Sequence, residues 1–203
     1  MTTISIIGAG NMATAIGSRA AAHGHTVEIM SRDAAKARAA ADQIGHGTTV
    51  GEYGARPAGD IVFLTVLYAG ALDVVTAFGE SLAGKIVIET TNPFNADASG
   101  VVTSPGNSIT EQIDAATPAD TQVLKAFNTV FRPVLAADGP LDVFFAGGNA
   151  DARERVAALL TSLGMRPLNA GGLESAHALE WAGILIMGIA RNGSGFGVAL
   201  GAK

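Results

Sequence analysis

The stretch Ile4-Ser5-Ile6-Ile7-Gly8-Ala9-Gly10-Asn11-Met12-Ala13 decides the fold of this 203-residue chain. A strand rich in isoleucine leads into a glycine turn and then into a helical segment. In such a turn the first glycine allows a tight bend, the second lets a pyrophosphate approach the backbone, and the third position must be small. Ala13 fills that third position, and the helix N-terminus offers free N–H groups to an anion. We therefore expect a dinucleotide to contact Gly8, Ala9, Gly10, Asn11 and Met12.

The end of the second predicted strand indicates which dinucleotide is bound. Proteins that bind NAD place an acid there for the ribose 2′-OH, whereas proteins that bind NADP place an arginine near the 2′-phosphate. Glu28 lies too early in the strand for that task, and Ser31 occupies the end position. Ser31 Oγ can donate to a phosphate, Arg32 offers a fork of donors, and Lys36 adds a point charge one turn later. We expect NADP(H), the alternative being a solvated helix start with incidental charges.

The composition excludes several classes of function. The chain has a net charge of −5 and no basic run, so we expect no nucleic-acid partner. It has no cysteine, and its four histidines show no metal spacing, so we expect neither thiolate chemistry nor a metal site. The longest apolar run, about residues 61–72, is too short to span a bilayer, and the chain begins directly with a strand. The expected location is the cytoplasm, with no membrane partner.

Strands and helices alternate along the chain, which predicts an α/β fold of the Rossmann type. The predicted strands are residues 3–7, 26–31, 61–66, 85–89, 123–127, 141–146 and 165–169, with a short one near 48–50. The predicted helices are residues 11–24, 33–45, 69–78, 108–116, 150–163 and 174–190. The continuous apolar run 61–66 is typical of a strand that is buried on both faces. This pattern predicts a doubly wound parallel sheet, with the second half of the chain packed on the first.

Five motifs, in this order, resemble the coenzyme F420-dependent NADP reductase family and the related cytoplasmic reductase domain of six-transmembrane metalloreductases. They are Gly8-Ala9-Gly10-Asn11-Met12, Ser31-Arg32 with Lys36, Lys125-Ala126-Phe127-Asn128-Thr129-Val130, Pro167-Leu168-Asn169-Ala170-Gly171-Gly172-Leu173, and Asn192-Gly193-Ser194-Gly195. The resemblance implies an NADP-binding domain over residues 1–122 and a small C-terminal α/β domain over residues 123–203. It also implies that a deazaflavin (coenzyme F420) or a flavin such as FMN lies in the cleft between them.

Two positions depart from the pattern of that family. Family members often have threonine where Ala9 stands, and many members that use a deazaflavin have histidine where Asn128 stands. The metalloreductase relatives carry Phe-Asn-Thr at the second place, as this chain does. These departures leave open whether the acceptor is a deazaflavin or a flavin. They do not change the expectation that the chain binds NADP(H).

Further site residues follow from the ends of strands. Ligands of open α/β sheets bind at the carboxyl ends of the strands, so we expect Thr65, Val66, Leu67 and Asn92 to contact the nicotinamide half of the cofactor. By resemblance, the second substrate contacts residues of the C-terminal half, namely Asn128, Thr129, Val130, Leu173, Asn192 and Gly193. The plainer interpretation of these residues is ordinary strand exits and turns, which favour Asn and Thr.

The resulting hypothesis is an NADP(H)-dependent oxidoreductase that transfers hydride between NADPH and a deazaflavin or flavin-type acceptor. Direct transfer between two rings requires positioning but no catalytic acid, base or metal, so no catalytic residue is predicted. Two alternatives remain: reduction of a small carbonyl or imine, in which His177 is the candidate acid, and a non-catalytic NADP-binding module. The apolar helix 174–190, with Trp181, Leu185 and Met187, predicts a homodimer.

Overall fold

The computed structural model describes residues 1–137 and 139–202. Its strands are β1 (Thr3–Ile7), β2 (Thr26–Met30), β3 (Thr49–Gly51), β4 (Ile61–Leu64), β5 (Ile86–Glu89), β6 (Gln122–Ala126), β7 (Leu141–Gly147) and β8 (Met165–Asn169). Its helices are α1 (Asn11–Ala22), α2 (Ala34–Ile44), α3 (Ala71–Phe78), α4 (Ile109–Ala116), α5 (Arg132–Ala136), α6 (Ala150–Ser162) and α7 (Ala176–Ile189). Every strand predicted from the sequence is present, and α5 is the helix that the sequence did not predict.

The eight strands form one sheet in the order β3-β2-β1-β4-β5-β6-β7-β8. Neighbouring strands are parallel except for β6 and β7, so the predicted Rossmann-type α/β fold is confirmed. The chain runs outward in one direction from β1 to β3 and in the other from β4 to β8. This reversal of strand order between β1 and β4 opens a crevice at the carboxyl ends of the strands.

The antiparallel strand β7 is a departure from the predicted parallel sheet. A parallel connection requires a crossover of a dozen or more residues that runs the length of the sheet, usually as a full helix. Among the described residues between β6 and β7, the helical segment is the five-residue α5, which is too short to run the length of the sheet and packs on α1. The chain therefore turns back beside β6. Residues 123–203 thus continue the sheet of residues 1–122, and the predicted domain division between the two segments stays a prediction.

The core consists of two layers of apolar side chains, one on each face of the sheet. Ile6, Phe63 and Ile88 face α1, α2 and α6, whereas Val62 and Val87 face α3 and α4. All four residues of β4 are buried, as the continuous apolar run predicted. Within the described residues, no helix is long and apolar enough to cross a membrane.

Arg19 ties α1 to the C-terminal half of the chain. Its buried guanidinium donates to five main-chain carbonyl oxygens, those of Leu135, Ala137, Gly139, Leu163 and Gly164. Leu163 follows the last turn of α6, and Leu135 belongs to the last turn of α5. Because the C-terminus of a helix carries partial negative charge, these carbonyls compensate the burial of the arginine charge. Helix α1, which follows the glycine turn, is therefore anchored to α5 and α6 on the side away from that turn.

Candidate active site

A cleft of about 590 Å³ opens at the carboxyl ends of β1, β2, β4 and β5. This is where the topology of the sheet places a ligand. The cleft is lined by Ile7, Gly8, Ala9, Gly10, Asn11, Met12, Ser31, Arg32, Tyr53, Thr65, Val66, Leu67, Tyr68, Val74, Thr90, Thr91 and Asn92. Eleven of the twelve predicted cofactor residues belong to this lining, the exception being Lys36.

The glycine turn has the geometry that the sequence predicted. Gly8 has a φ of +129°, and a Cβ there would overlap the main-chain oxygen of Thr65, so the position requires glycine. A Cβ at Gly10 would meet no protein atom within 4 Å and would project into open space. Helix α1 begins after Gly10 with no side-chain cap and no acid in its first turn. Its free N–H groups are thus available to an anion.

Ser31 and Arg32 line the end of the cleft next to β2. Lys36, by contrast, lies outside the lining and forms an ion pair with Asp33 at 3.7 Å. Asp33 also caps α2 by accepting the main-chain N–H groups of Ala35 and Lys36. The pKa of Asp33 lies below its usual value, mainly because its carboxylate accepts a hydrogen bond from the main-chain N–H of Lys36. The main-chain N–H of Ala35 and the charge of Lys36 lower it further. The role of Lys36 as a phosphate ligand therefore stays a prediction.

The ends of β4 and β5 supply the opposite side of the cleft. Thr65 Oγ1 donates to Ile7 O at 3.1 Å and Thr90 Oγ1 donates to Leu64 O at 3.0 Å. These hydroxyls therefore link the ends of neighbouring strands. Because each has used its hydrogen, it can only accept a hydrogen bond from a ligand. Leu67 is 86% exposed, at the rim of the cleft.

Six further lining residues were not among the predicted cofactor residues, namely Ile7, Tyr53, Tyr68, Val74, Thr90 and Thr91. Tyr53 packs edge-on against Phe78, with ring centroids 5.1 Å apart. It follows β3, the strand at the edge of the sheet. The strand-end rule, applied to β3 as it was to β4, could have found it.

Asn92 and Asn128 form a hydrogen-bonded pair at the edge of the cleft. Asn92 Nδ2 donates to Asn128 O at 2.7 Å, and Asn128 Nδ2 donates to Asn92 Oδ1 at 3.0 Å and to Leu179 O at 2.7 Å. Asn92 is half-buried and lines the cleft, whereas Asn128 is buried behind it. Asn128 thus reaches the cleft only through Asn92.

The other predicted substrate residues do not line this cleft. Thr129 and Val130 are buried, and Val130 pairs with Ala199 in an isolated bridge. Leu173 lies in the turn before α7, and Asn192 Nδ2 donates to Gly188 O at 2.8 Å in the turn after it. Gly193 follows with a φ of +112°. For these five residues, contact with a second substrate stays a prediction.

A buried ion pair lies beside the cleft, and the sequence analysis did not identify it. Lys125 Nζ donates to Glu89 Oε2 at 2.7 Å and to Thr91 O at 2.9 Å. Glu89 also accepts from Thr110 Oγ1 at 3.0 Å and from the N–H of Thr91. The two charged residues are register partners on β5 and β6. The sequence did contain a signal for this pair, because β5 carries one acidic residue, Glu89, and β6 carries one basic residue, Lys125, among mostly apolar neighbours. The pair fixes the main chain of Thr91, which lines the cleft next to Asn92.

His177 lies outside the lining of the cleft. Trp181 Nε1, which can only donate, bonds to His177 Nε2 at 3.2 Å, so His177 Nδ1 is the atom that donates to Glu180 Oε2 at 3.1 Å. Both imidazole nitrogens are therefore occupied by α7 itself. Among the described lining residues the titratable side chains are Arg32, Tyr53 and Tyr68. The described part of the chain contains no cluster of His, Cys, Asp or Glu that could hold a metal ion.

Residues 3–93 match the family described as NADP oxidoreductase, coenzyme F420-dependent. The N-terminal part of the chain is therefore similar to this family of NADP-dependent oxidoreductases. Similarity to an F420-dependent NADP reductase from Methanothermobacter marburgensis covers 85% of each protein at 27% identity. Similarity to the metalloreductase STEAP3 of Rattus norvegicus, at 26% identity, covers 87% of this chain but only 35% of that protein.

Two solved structures show how widely the fold of this NADP oxidoreductase is shared. A hypothetical protein from Sinorhizobium meliloti is 32% identical with a TM-score of 0.76, over 87% of this chain and 88% of that one. An imine reductase from Aspergillus terreus, in complex with NADPH4 and a dibenzazepine, superimposes with a TM-score of 0.70 at 21% identity. The match covers 93% of this chain and 61% of the imine reductase, and it shows a common fold.

Proposed function

We propose that this oxidoreductase binds NADP(H) in the cleft and transfers hydride between NADPH and a deazaflavin such as coenzyme F420, or a flavin-type acceptor. The observation that carries the proposal is the cleft itself. It joins Ser31 and Arg32, the Gly10 turn and Asn92 in one continuous lining. These features stand in the order in which a dinucleotide presents its 2′-phosphate, its pyrophosphate and its nicotinamide.

The residues present fit NADP(H). The missing Cβ of Gly10 leaves open space where a pyrophosphate approaches the backbone, and the uncapped N-terminus of α1 faces that space. Ser31 and Arg32 supply a hydroxyl and a guanidinium for the 2′-phosphate, and Arg32 has no acidic partner within the described chain. Asn92 offers an amide to the nicotinamide half. Each region of the cleft thus matches one part of the cofactor.

Most side chains of the cleft are suited to positioning rather than to proton transfer. NADPH, when bound, supplies the hydride from its nicotinamide ring. Strand-end hydroxyls and Asn92 hold groups in place, and Val66, Leu67 and Met12 provide an apolar wall. Among the described lining residues there is no carboxylate, imidazole or amine, and the titratable groups able to donate a proton are the phenols of Tyr53 and Tyr68. A ring acceptor that needs only contact with the nicotinamide fits this lining best.

A second candidate function is reduction of a small carbonyl or imine, which the common fold with an imine reductase favours. Such a reaction requires a proton for the product, and a positioned acid typically contributes 10²-fold or more. His177 is the predicted acid in that case. A loss of about 10²-fold in His177→Ala would support this role, although His177 lies outside the cleft lining and both its nitrogens bond within α7. The choice between the two acceptor classes rests on the acceptor assay below.

The experiment is anaerobic oxidation of NADPH, followed by its absorbance, with coenzyme F420, FMN, a ferric chelate or a cyclic imine as acceptor. We expect turnover with F420 or FMN, and we expect NADPH to bind even without an acceptor. Oxidation by the cyclic imine alone would replace the first proposal with the second. Tight NADPH binding with no acceptor turned over would favour a non-catalytic module.

We also propose that the chain forms a homodimer in the cytoplasm. The support is a stripe of exposed apolar side chains on α7, namely Trp181, Leu185 and Ile189. Their spacing of four residues places them on one face of the helix. Met187, which the sequence grouped with them, is half-buried. A contiguous apolar stripe on the surface is typical of an interface, and two-fold dimers are the commonest assembly.

A further inference from the structure

We infer that Asn128 is a positioning residue that fixes the carboxamide of Asn92 at the nicotinamide end of the cleft. Sequence resemblance placed Asn128 in contact with the second substrate. The geometry points instead to action through a neighbour, because Asn128 is buried and absent from the lining while Asn92 is part of it. The identity of the ligand at Asn92 rests on the proposed function, whereas the pairing of the two side chains does not.

The orientation of both amides is determined by main-chain acceptors. Leu179 O and Asn128 O are carbonyl oxygens, which accept and never donate. The atom of Asn128 that faces Leu179 O must therefore be Nδ2, and the atom of Asn92 that faces Asn128 O must likewise be Nδ2. With both nitrogens assigned, Asn92 Oδ1 is left facing Asn128 Nδ2 at 3.0 Å. Neither amide can flip without bringing two acceptors together.

This arrangement leaves a defined set of atoms on Asn92 for a ligand. One N–H of its Nδ2 bonds to Asn128 O, and one lone pair of its Oδ1 accepts from Asn128 Nδ2. One N–H donor and one acceptor lone pair remain. A ligand group with an acceptor beside a donor complements this pair, and both the nicotinamide carboxamide and the ribose hydroxyls have that chemistry. Asn128 thereby sets which edge of Asn92 faces the cleft.

Helix α7 and the turn after β6 hold Asn128 in place. Phe127, directly before it, has a φ of +63°, which turns the chain so that Asn128 lies behind Asn92. On the other side, a Cβ at Gly183 of α7 would overlap Asn92 Oδ1 and lie 3.3 Å from Asn128 Nδ2. The glycine allows α7 to close over the pair, and Leu179 O of the same helix accepts the second hydrogen of Asn128 Nδ2. The nicotinamide end of the cleft is thus braced by α7.

The test is a double-mutant cycle of Asn92→Ala, Asn128→Ala and the double variant, with Asn107→Ala, an exposed asparagine, as the control. Binding of NADPH and of 2′,5′-ADP, which represents only the adenosine half, is measured by calorimetry. Loss of one well-placed hydrogen-bonding group costs about tenfold in affinity. We expect Asn128→Ala to weaken NADPH about as much as Asn92→Ala, with no further loss in the double variant and no change for 2′,5′-ADP. An acetylpyridine analogue of NADP, which lacks the carboxamide N–H, separates carboxamide from ribose contact.

Two outcomes would overturn the inference. Effects that multiply in the double variant would show that Asn128 acts independently of Asn92. Equal weakening of NADPH and 2′,5′-ADP by Asn128→Ala would show a general structural role. If the wild-type chain does not bind NADPH, the proposed function fails. The pairing is then decided by NMR of the Asn92 side-chain amide, whose signals must shift in Asn128→Ala but not in Asn107→Ala.

Discussion

The Nζ atom of Lys125 lies 2.7 Å from Oε2 of Glu89, and neither side chain has any exposure to solvent. The two residues face each other at the carboxyl ends of adjacent strands, and Lys125 also bonds to the main chain of Thr91. Thr110 completes the hydrogen bonds of the carboxylate. The pair thus holds the segment that leads from β5 to Asn92, directly behind the cleft.

Removing one partner of this pair should strongly destabilise the fold. Lys125→Met leaves the Glu89 carboxylate buried without its cation, a situation that typically costs about 3–5 kcal/mol. We expect a drop of that size in the free energy of unfolding, measured with urea. Arg155→Met, which removes the exposed ion pair with Asp60, is the matched control and should change it by less than about 1 kcal/mol. If the two variants lowered the free energy of unfolding equally, burial would not make the Lys125–Glu89 pair more important for stability than an exposed pair.

Arg32 should determine the preference for NADPH over NADH. Arg32→Ala removes the guanidinium that lines the cleft, so we expect at least about tenfold weaker NADPH binding and little change for NADH. Lys36→Ala should have a smaller effect, because Lys36 is paired with Asp33 outside the lining. Titration of both dinucleotides by fluorescence provides the measurement. Equal affinity of the wild type for NADPH and NADH would contradict the assignment of the 2′-phosphate site.

His25 should make stability depend on pH in mildly acidic solution. Burial, reinforced by the positive N-terminus, lowers the pKa of this imidazole below 6.5 in the folded chain. Once the pH falls below about 6.5, the unfolded chain binds the proton more readily than the folded one. The free energy of unfolding should therefore decline as the pH drops from about 6.5 through the folded pKa, and be unaffected by His25 at higher pH.

Denaturant unfolding of His25→Leu at several pH values tests this dependence. The variant should show a flatter decline below about pH 6.5 than the wild type. His46→Asn serves as the control, because His46 is exposed and asparagine tolerates its φ of +52°. The same slope in all three proteins would assign the acid sensitivity to other groups.

The stripe on α7 should hold two copies of the chain together. Leu185 is 57% exposed at the centre of the stripe, so Leu185→Glu introduces a charge that a paired apolar surface cannot accommodate. We expect a dimer for the wild type and a monomer for Leu185→Glu by light scattering at micromolar concentration. Ala39→Glu, at an exposed position of α2, should remain dimeric. A monomeric wild type would reject the proposed interface.

Much of the cleft was predictable because its parts are local. A glycine turn after a strand, Ser31 and Arg32 at the end of the next strand, and Asn92 after a third each follow from patterns of a few residues. The rule that strand ends meet at one edge of the sheet then brings them together.

The contacts that support the cleft were not predictable in this way. Asn92 and Asn128 are 36 positions apart, as are Glu89 and Lys125, and no local pattern records such pairings. The direction of β7 was missed for a related reason. Hydrophobic periodicity identifies a strand but carries no information about whether its neighbour runs parallel or antiparallel.

The hydrogen bonds of Arg19 constrain the order in which the chain acquires its structure during synthesis. Its Nε donates to a carbonyl 144 positions further along, so the N-terminal βαβ unit emerges with this guanidinium still hydrated. The full set of hydrogen bonds from Arg19 can form only after α5 and the end of α6 have been made. A nascent chain that stops before Leu163 therefore lacks two of the five carbonyl oxygens that accept from Arg19.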